Sequence, residues 1–281
     1  MPELPEVETV RRGLAPHLEG RRLARVELRR ADLRIPFPPD FVQSLTGRRI
    51  GRLGRRAKYL VAELDTGRAL IMHLGMSGRF AVQAHGGARP GTPGSGTGPH
   101  DHVVLETEAG VRLVYTDHRR FGLMTLADEA GAHPLLRHLG LEPLGGALTG
   151  PALAAALEGR RSPIKAALLD QRIVAGIGNI YACEALYRAR LSPRRLSGTV
   201  RGSRAERLAR ALREVLSEAV EAGGSSVRDY AGAGGEPGYF QHAFSVYGRA
   251  GAECGRAACG ATITRIVQGN RSTFLCPACQ R

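Results

Sequence analysis

The two ends of the sequence carry residues suited to chemistry, and the chemistry differs. At the start, Met1-Pro2-Glu3-Leu4-Pro5-Glu6 sets a proline where loss of the initiator methionine would leave a secondary amine as the first atom of the mature chain. An α-amino group titrates at roughly 7.7–8.0, so a usable fraction is unprotonated near neutral pH. Attack by such an amine on a sugar aldehyde carbon gives a permanently cationic iminium, which draws electrons from the neighbouring C–H bond and opens an elimination route. Glu3 and Glu6 supply carboxyl groups close by that can move protons on and off the reacting sugar. Pro5 suits a first helical position, and Val7, Val10, Leu14 and Leu18 recur at helical spacing. Pro2 is therefore expected just before a helix, whose positive end disfavours a protonated amine. By themselves these six residues equally describe an extended, proline-containing N-terminus.

At the other end, the last 28 residues hold four of the five cysteines, Cys254, Cys259, Cys276 and Cys279. Two close pairs separated by sixteen residues are the donor set of a tetrahedral structural zinc site. The second pair has the tight two-residue knuckle spacing; the first is wider, with four residues between its cysteines. Two disulfides are the alternative, and nothing in the sequence points to an oxidising compartment. Cys183 lies in an apolar helical run and reads as a small buried hydrophobe.

Composition limits what these groups serve. The 281 residues, 43% of them hydrophobic, suffice for two compact domains and a small metal-bound module. No apolar run is long enough to cross a bilayer and no signal pattern precedes Pro2, so a cytoplasmic protein is expected. A net charge of +14 and a pI near 10.5 favour a polyanionic partner. Nucleic acid fits better than membrane, because no basic amphipathic helix carries bulky aromatics on its other face. Of the 40 basic residues only Lys58 and Lys165 are lysine.

Around these residues the pattern predicts an α+β protein. A leading helix precedes strands across 21–125, among them 59–61, 69–72 and a hairpin from 102–105 to 111–115 turning at Ala109-Gly110, together a β-sandwich. Residues 85–99, rich in Gly, Pro, Ser and Thr, read as an aperiodic loop, and 128–151 as a linker. From Pro163 the pattern turns helical: 164–171, 180–190 and 204–222. Between the first two of these, Val174-Ala175-Gly176-Ile177-Gly178-Asn179 is a glycine turn at a helix start, which either frees backbone N–H groups for a phosphate or serves packing. Residues 231–239 read as a lid or a plain linker.

Together these pieces resemble the formamidopyrimidine-DNA glycosylase family, bacterial base-excision-repair enzymes that remove oxidised purines such as 8-oxoguanine. The resemblance runs through PELPEVE at 2–8, RRAKYL at 55–60, HLGMSGR at 73–79, DHRRFG at 117–122, LLDQRIVAGIGNIYACEAL at 168–186, PGYFQHAFSVYGR at 237–249 and the cysteine cluster. It implies an N-terminal catalytic β-sandwich over 1–130, a linker over 131–151, a helix–two-turns–helix DNA-binding domain over 152–235, and the lid end with a four-cysteine zinc finger over 236–281. It implies that Pro2 forms a Schiff base with C1′ of the damaged nucleotide, that Glu3 is the principal acid/base, and that Lys58 and Arg271 serve β- and δ-elimination. Guanidinium hardly ever loses a proton, so Arg271 is read as a bidentate clamp on the departing phosphate. His100, Arg119, Arg161 and Asn179 match DNA contacts, and Lys165 is grouped with them. Rotating a nucleotide out of the stack leaves a hole, and Met76, Arg119 and Phe121 match the trio that fills it. The implied protein is a monomer, holds one zinc ion, and takes damaged or abasic duplex DNA as its partner, at the bacterial nucleoid during repair. The competing expectations are an endonuclease VIII-like glycosylase for oxidised pyrimidines and a non-catalytic zinc-containing DNA-binding protein.

Overall fold

The computed structural model describes residues 2–83, 95–226, 232 and 237–281. Of the glycine- and proline-rich loop expected at 85–99 only 95–99 is among them, and of the segment 231–239 only 232 and 237–239; the remainder of both lies outside the described residues. The chain forms two compact units, one of Met1–Arg137 with Gly223–Tyr239, the other of His138–Ala222 with Phe240–Arg281.

The first unit opens with helix α1 (Leu4–Leu18), which buries Leu4, Val7, Val10, Leu14 and Leu18 along one face. Then come β1 (Leu23–Leu28), the short α2 (Phe41–Leu45), β2 (Ile50–Arg56), β3 (Tyr59–Leu64), β4 (Ala69–His73), β5 (Arg79–Gln83), β6 (Asp101–Thr107), β7 (Arg112–Thr116) and β8 (Leu123–Ala127). They make two antiparallel four-stranded sheets, ordered β1-β6-β7-β5 and β2-β3-β4-β8. Each sheet has one apolar face, and burying both means packing one sheet on the other. Leu53, Leu60, Met72, Phe80, Leu105, Leu113 and Met124 meet in that shared core, with α1 contributing Val10 and Leu14.

The second unit contains α3 (Gly150–Leu157), α4 (Ile164–Leu169), α5 (Asn179–Arg188), α6 (Ser203–Glu221) and a hairpin of β9 (Thr264–Gln268) and β10 (Arg271–Leu275). Helix α3 begins inside the stretch expected to be a linker. Its start signals are local: Thr149 caps it by accepting a hydrogen bond from Ala152 N–H at 3.2 Å, and Pro151 sits in its first turn. Helix α6 is strongly amphipathic, burying Leu208, Leu212, Val215, Leu216 and Ala219 against Leu153, Leu168, Tyr181 and Leu186. A smaller core joins Cys183 and Tyr187 of α5 to Val246, Ile263 and Phe274 around Cys254 and Cys276. The finger thus borrows apolar surface from α5, and Cys183 packs there as a small hydrophobe.

Candidate active site and nucleic-acid interface

Strand pairing brings separated motifs to one end of the sandwich. Tyr59, the first residue of β3, pairs with His73, the last of β4, which pairs in turn with Leu123, the first of β8. On the other sheet Thr116, the last residue of β7, pairs with both Arg79 of β5 and Asp101 of β6. The turn at Ala57-Lys58, the crossover 74–78 from β4 to β5, His100 ahead of β6, and the crossover 117–122 from β7 to β8 therefore gather at a single end.

Helix α1 delivers its N-terminus to the same end. The Leu53 carbonyl accepts from Arg11 at 3.3 Å, and Arg55, two residues nearer the turn, bonds Glu8 at 3.2 Å, three residues nearer the helix start. Advancing along β2 thus means retreating along α1, and the turn at Ala57-Lys58 arrives beside the helix start. Glu8 lies within reach of Arg11, Arg12 and Arg55; burial pushes its carboxyl up, and the hydrogen bonds and charges of these arginines outweigh that and hold it below the usual range.

Pro2 is buried immediately ahead of α1, and Glu3 is the residue that caps the helix, 4% exposed. Glu6 has a structural occupation. One carboxylate oxygen accepts the Glu3 N–H at 2.8 Å, while the other accepts the Ser225 N–H at 2.8 Å and the Ser225 hydroxyl at 3.1 Å. Of the two carboxyls expected near the amine, Glu6 is committed to fixing the helix start and segment 224–225 to each other. A Cβ on Gly224, whose φ is +81°, would lie 3.0 Å from that carboxylate, so the approach favours glycine.

Lys58 is 6% exposed and follows Ala57, which takes a left-handed φ of 52° in a two-residue turn. That conformation costs a residue with a Cβ about 1–3 kcal/mol, and fixed backbone of this kind holds the next side chain in place. His73 belongs to this cluster and sequence reasoning missed it. It packs at a tilt against Tyr59 with ring centres 4.8 Å apart and accepts the Gly75 N–H on Nδ1 at 2.9 Å. Burial first, then the positive charges of Lys58 and Arg34, press its pKa down to about 4, so the imidazole is neutral at physiological pH. The signal available beforehand was its place at the head of the 73–79 motif.

Met76 sits partly buried in the 74–78 crossover, and Arg119 and Phe121 are exposed on the 117–122 crossover, Phe121 by 45%. The Arg119 guanidinium carbon lies 4.8 Å from the centre of the Phe121 ring. His100 is exposed, edge-on to His102 and His118.

In the helical unit, Arg161 and Arg271 are exposed. Asn179 is the first residue of α5, after Gly178, and its side-chain amide donates to the Ser272 carbonyl at 2.9 Å. Lys165, grouped by sequence with the DNA contacts, is turned inward. It is 1% exposed, and its ammonium donates to the Thr273 hydroxyl at 2.7 Å and to the same Ser272 carbonyl at 3.3 Å. Ser272 adjoins Arg271, so Asn179 and Lys165 together anchor the strand that presents that arginine. Burial of an ammonium is tolerated because its donors meet acceptors there.

The four finger cysteines are free thiols with their Sγ atoms all within 4.8 Å of one another. Separations of 3.2 Å for Cys259–Cys279, 3.6 Å for Cys259–Cys276 and 3.9 Å for Cys254–Cys279 exceed a disulfide bond. They bracket the edge of about 3.8 Å that four sulfurs at about 2.3 Å from a central zinc would have. The donor set therefore fits one structural zinc ion, and the wider first pair does not prevent closure. Among the described residues this is the one group of His, Cys, Asp or Glu side chains arranged to hold a metal. The Tyr187 hydroxyl contacts the Cys254 sulfur at 3.3 Å, tying the metal site to α5.

A sandwich with a proline at its leading helix start, a helical unit and a four-thiolate finger follow one another along the chain. Family models match in the same order: the formamidopyrimidine-DNA glycosylase N-terminal domain over residues 1–124, the formamidopyrimidine-DNA glycosylase H2TH domain over 139–231, and the zinc finger found in FPG and IleRS over 251–281. The chain belongs to the formamidopyrimidine-DNA glycosylase family, whose members are DNA glycosylases with AP lyase activity. It is 57% identical to the formamidopyrimidine-DNA glycosylase of Cereibacter sphaeroides across the full length of both. Its structure is similar to MutM (Fpg) of Thermus thermophilus, with a TM-score of 0.84 and 42% identity over 99% of this chain and 98% of that one. It is also similar to a Lactococcus lactis Fpg mutant in complex with Fapy-dG-containing DNA, with a TM-score of 0.85 and 33% identity over the whole of both chains.

Proposed function

We propose that the chain excises 8-oxoguanine and formamidopyrimidines from duplex DNA and then cuts the strand, with Pro2 as the nucleophile of both steps. The observation that carries this reading is the convergence at one end of the sandwich: the helix start with Pro2 and Glu3, buried Lys58, neutral His73 and the crossovers bearing Met76, Arg119 and Phe121. The proline nitrogen, once freed by loss of Met1, attacks C1′ of the damaged nucleotide, and the bond to the base breaks. The base leaves with a proton, and the sugar ring opens to the iminium. Glu3 moves protons on the sugar. Loss of a C2′ proton expels the 3′ phosphate, with Lys58 as proton donor, and a second elimination expels the 5′ phosphate, which Arg271 clamps.

Zinc, when bound by Cys254, Cys259, Cys276 and Cys279, holds the finger in shape and takes no part in the chemistry. His100, Arg119 and Arg161 meet phosphates or bases, and Asn179 and Lys165 act by holding the Arg271 strand. The protein works as a monomer in the cytoplasm, at the nucleoid; among the described residues no helix is long and apolar enough to cross a membrane. Borohydride trapping on an 8-oxoguanine duplex, followed by mass spectrometry, tests the assignment. Attachment at Pro2 is expected; attachment at Lys58 or Lys165, or active enzyme that retains Met1, would overturn it. A cleavage panel should favour oxidised purines over oxidised pyrimidines.

A further inference from the structure

Asp117 is fully buried, at 0% exposure, and its carboxylate joins the two crossovers that bear Met76, Arg119 and Phe121. Oδ1 accepts the Ser77 hydroxyl at 2.5 Å. Oδ2 accepts the Gly122 N–H at 2.8 Å and the Tyr115 hydroxyl at 3.2 Å. The Ser77 oxygen in turn accepts the Arg119 N–H at 3.2 Å. Ser77 follows Met76 and Gly122 follows Phe121, so one carboxylate holds groups next to two of the tips directly and reaches Arg119, the third, through Ser77.

The crossovers also touch directly. A Cβ on Gly75 would lie 2.3 Å from the Phe121 carbonyl carbon, and one on Gly122 would lie 1.8 Å from the Tyr115 hydroxyl oxygen. Glycine at these two places lets the backbones close onto each other and onto the Asp117 network. Above this fixed base the Phe121 ring stands exposed beneath the Arg119 guanidinium.

We propose that Asp117 is a positioning residue that, through Ser77 and Gly122, arranges the Met76 crossover and the Arg119–Phe121 crossover as one rigid wedge before DNA is met. Loops that had to become ordered during insertion would lose binding free energy to that ordering, and a prearranged wedge avoids the loss. The inference rests on the reading that the three tips fill the space left by a rotated nucleotide.

Ser77→Ala and Asp117→Asn test it on two substrates, with Met76→Ala as reference. On an 8-oxoguanine duplex with 2-aminopurine beside the lesion, both variants should release base at least tenfold more slowly than the parent in single turnover, with a delayed fluorescence rise. On a single-stranded abasic oligonucleotide, where no stack is entered, borohydride trapping should stay within about twofold of the parent. Equal losses on both substrates would show general support of the fold and overturn the proposal. Parent rates and parent fluorescence in Ser77→Ala and Asp117→Asn, with Met76→Ala slow, would overturn the prearrangement alone. A parent-like Met76→Ala would remove the void-filling reading itself, and the inference with it.

Discussion

Acid should loosen the sandwich through His73, and the size of the effect follows from its surroundings. In an unfolded chain the imidazole titrates near 6.5; in the folded protein burial and the charges of Lys58 and Arg34 lower this to about 4. The folded state therefore binds the proton less readily than the unfolded one. Stability from neutral His73 is complete above about pH 6.5 and is lost as pH falls toward 4. The linkage relation gives a loss of about 2 kcal/mol by pH 5 and about 3 kcal/mol below pH 4. The local route is visible: Nδ1 accepts the Gly75 N–H only while unprotonated, and protonation would set two donors against each other at the root of the Met76 crossover. His73→Asn keeps an acceptor within reach and removes the titration. Urea unfolding of parent and variant from pH 4 to 8, followed by tyrosine fluorescence, isolates the effect because the carboxylates common to both cancel. The parent's advantage should shrink by about 2 kcal/mol between pH 7 and 5. Parallel stability curves would refute the argument.

Lys58→Arg should keep lesion binding within about threefold yet slow the covalent steps at least tenfold, because guanidinium cannot give up and recover a proton near neutral pH. Single-turnover base release and strand cleavage decide it, and rates within about twofold of the parent would leave charge alone as the role. Glu6→Gln replaces one acceptor oxygen with a donor amide and takes that acceptor from the Glu3 N–H or from the Ser225 groups, at a cost of about 1–3 kcal/mol. Faster hydrogen exchange at Glu3 or Ser225 and slower trapping are the expected readouts. Cys276→Ser should lose zinc and DNA affinity together, as metal analysis and a binding titration would show, since the finger core closes around that buried sulfur. Binding should weaken steeply with salt through counterion release, and a flat profile would count against a phosphate-tracking surface.

Features with a local signal were legible in the amino-acid order alone. Apolar spacing and Pro5 defined α1, and the period-two runs and the Ala109-Gly110 turn defined the hairpin of β6 and β7. The cysteine spacings defined the metal donors, since ligands a few residues apart must meet wherever the chain goes. Helix α3 begins two residues inside the expected linker, where Thr149 and Pro151 mark its start. Which side chains share an environment depends instead on long-range pairing. His73 joins Lys58 because Tyr59 and His73 pair across a sheet, and Met76 joins Phe121 because β4 and β8 pair and both crossovers leave at that end. Glu6 is tied to Ser225, more than two hundred residues away, a partner that no local pattern announces. Lys165, grouped with the DNA contacts, turns inward because Thr273 and Ser272 offer its ammonium acceptors. Periodicity reports which face of an element is buried, whereas hydrogen-bond partners and shifted pKa values depend on what the opposite surface brings, and long-range packing sets that.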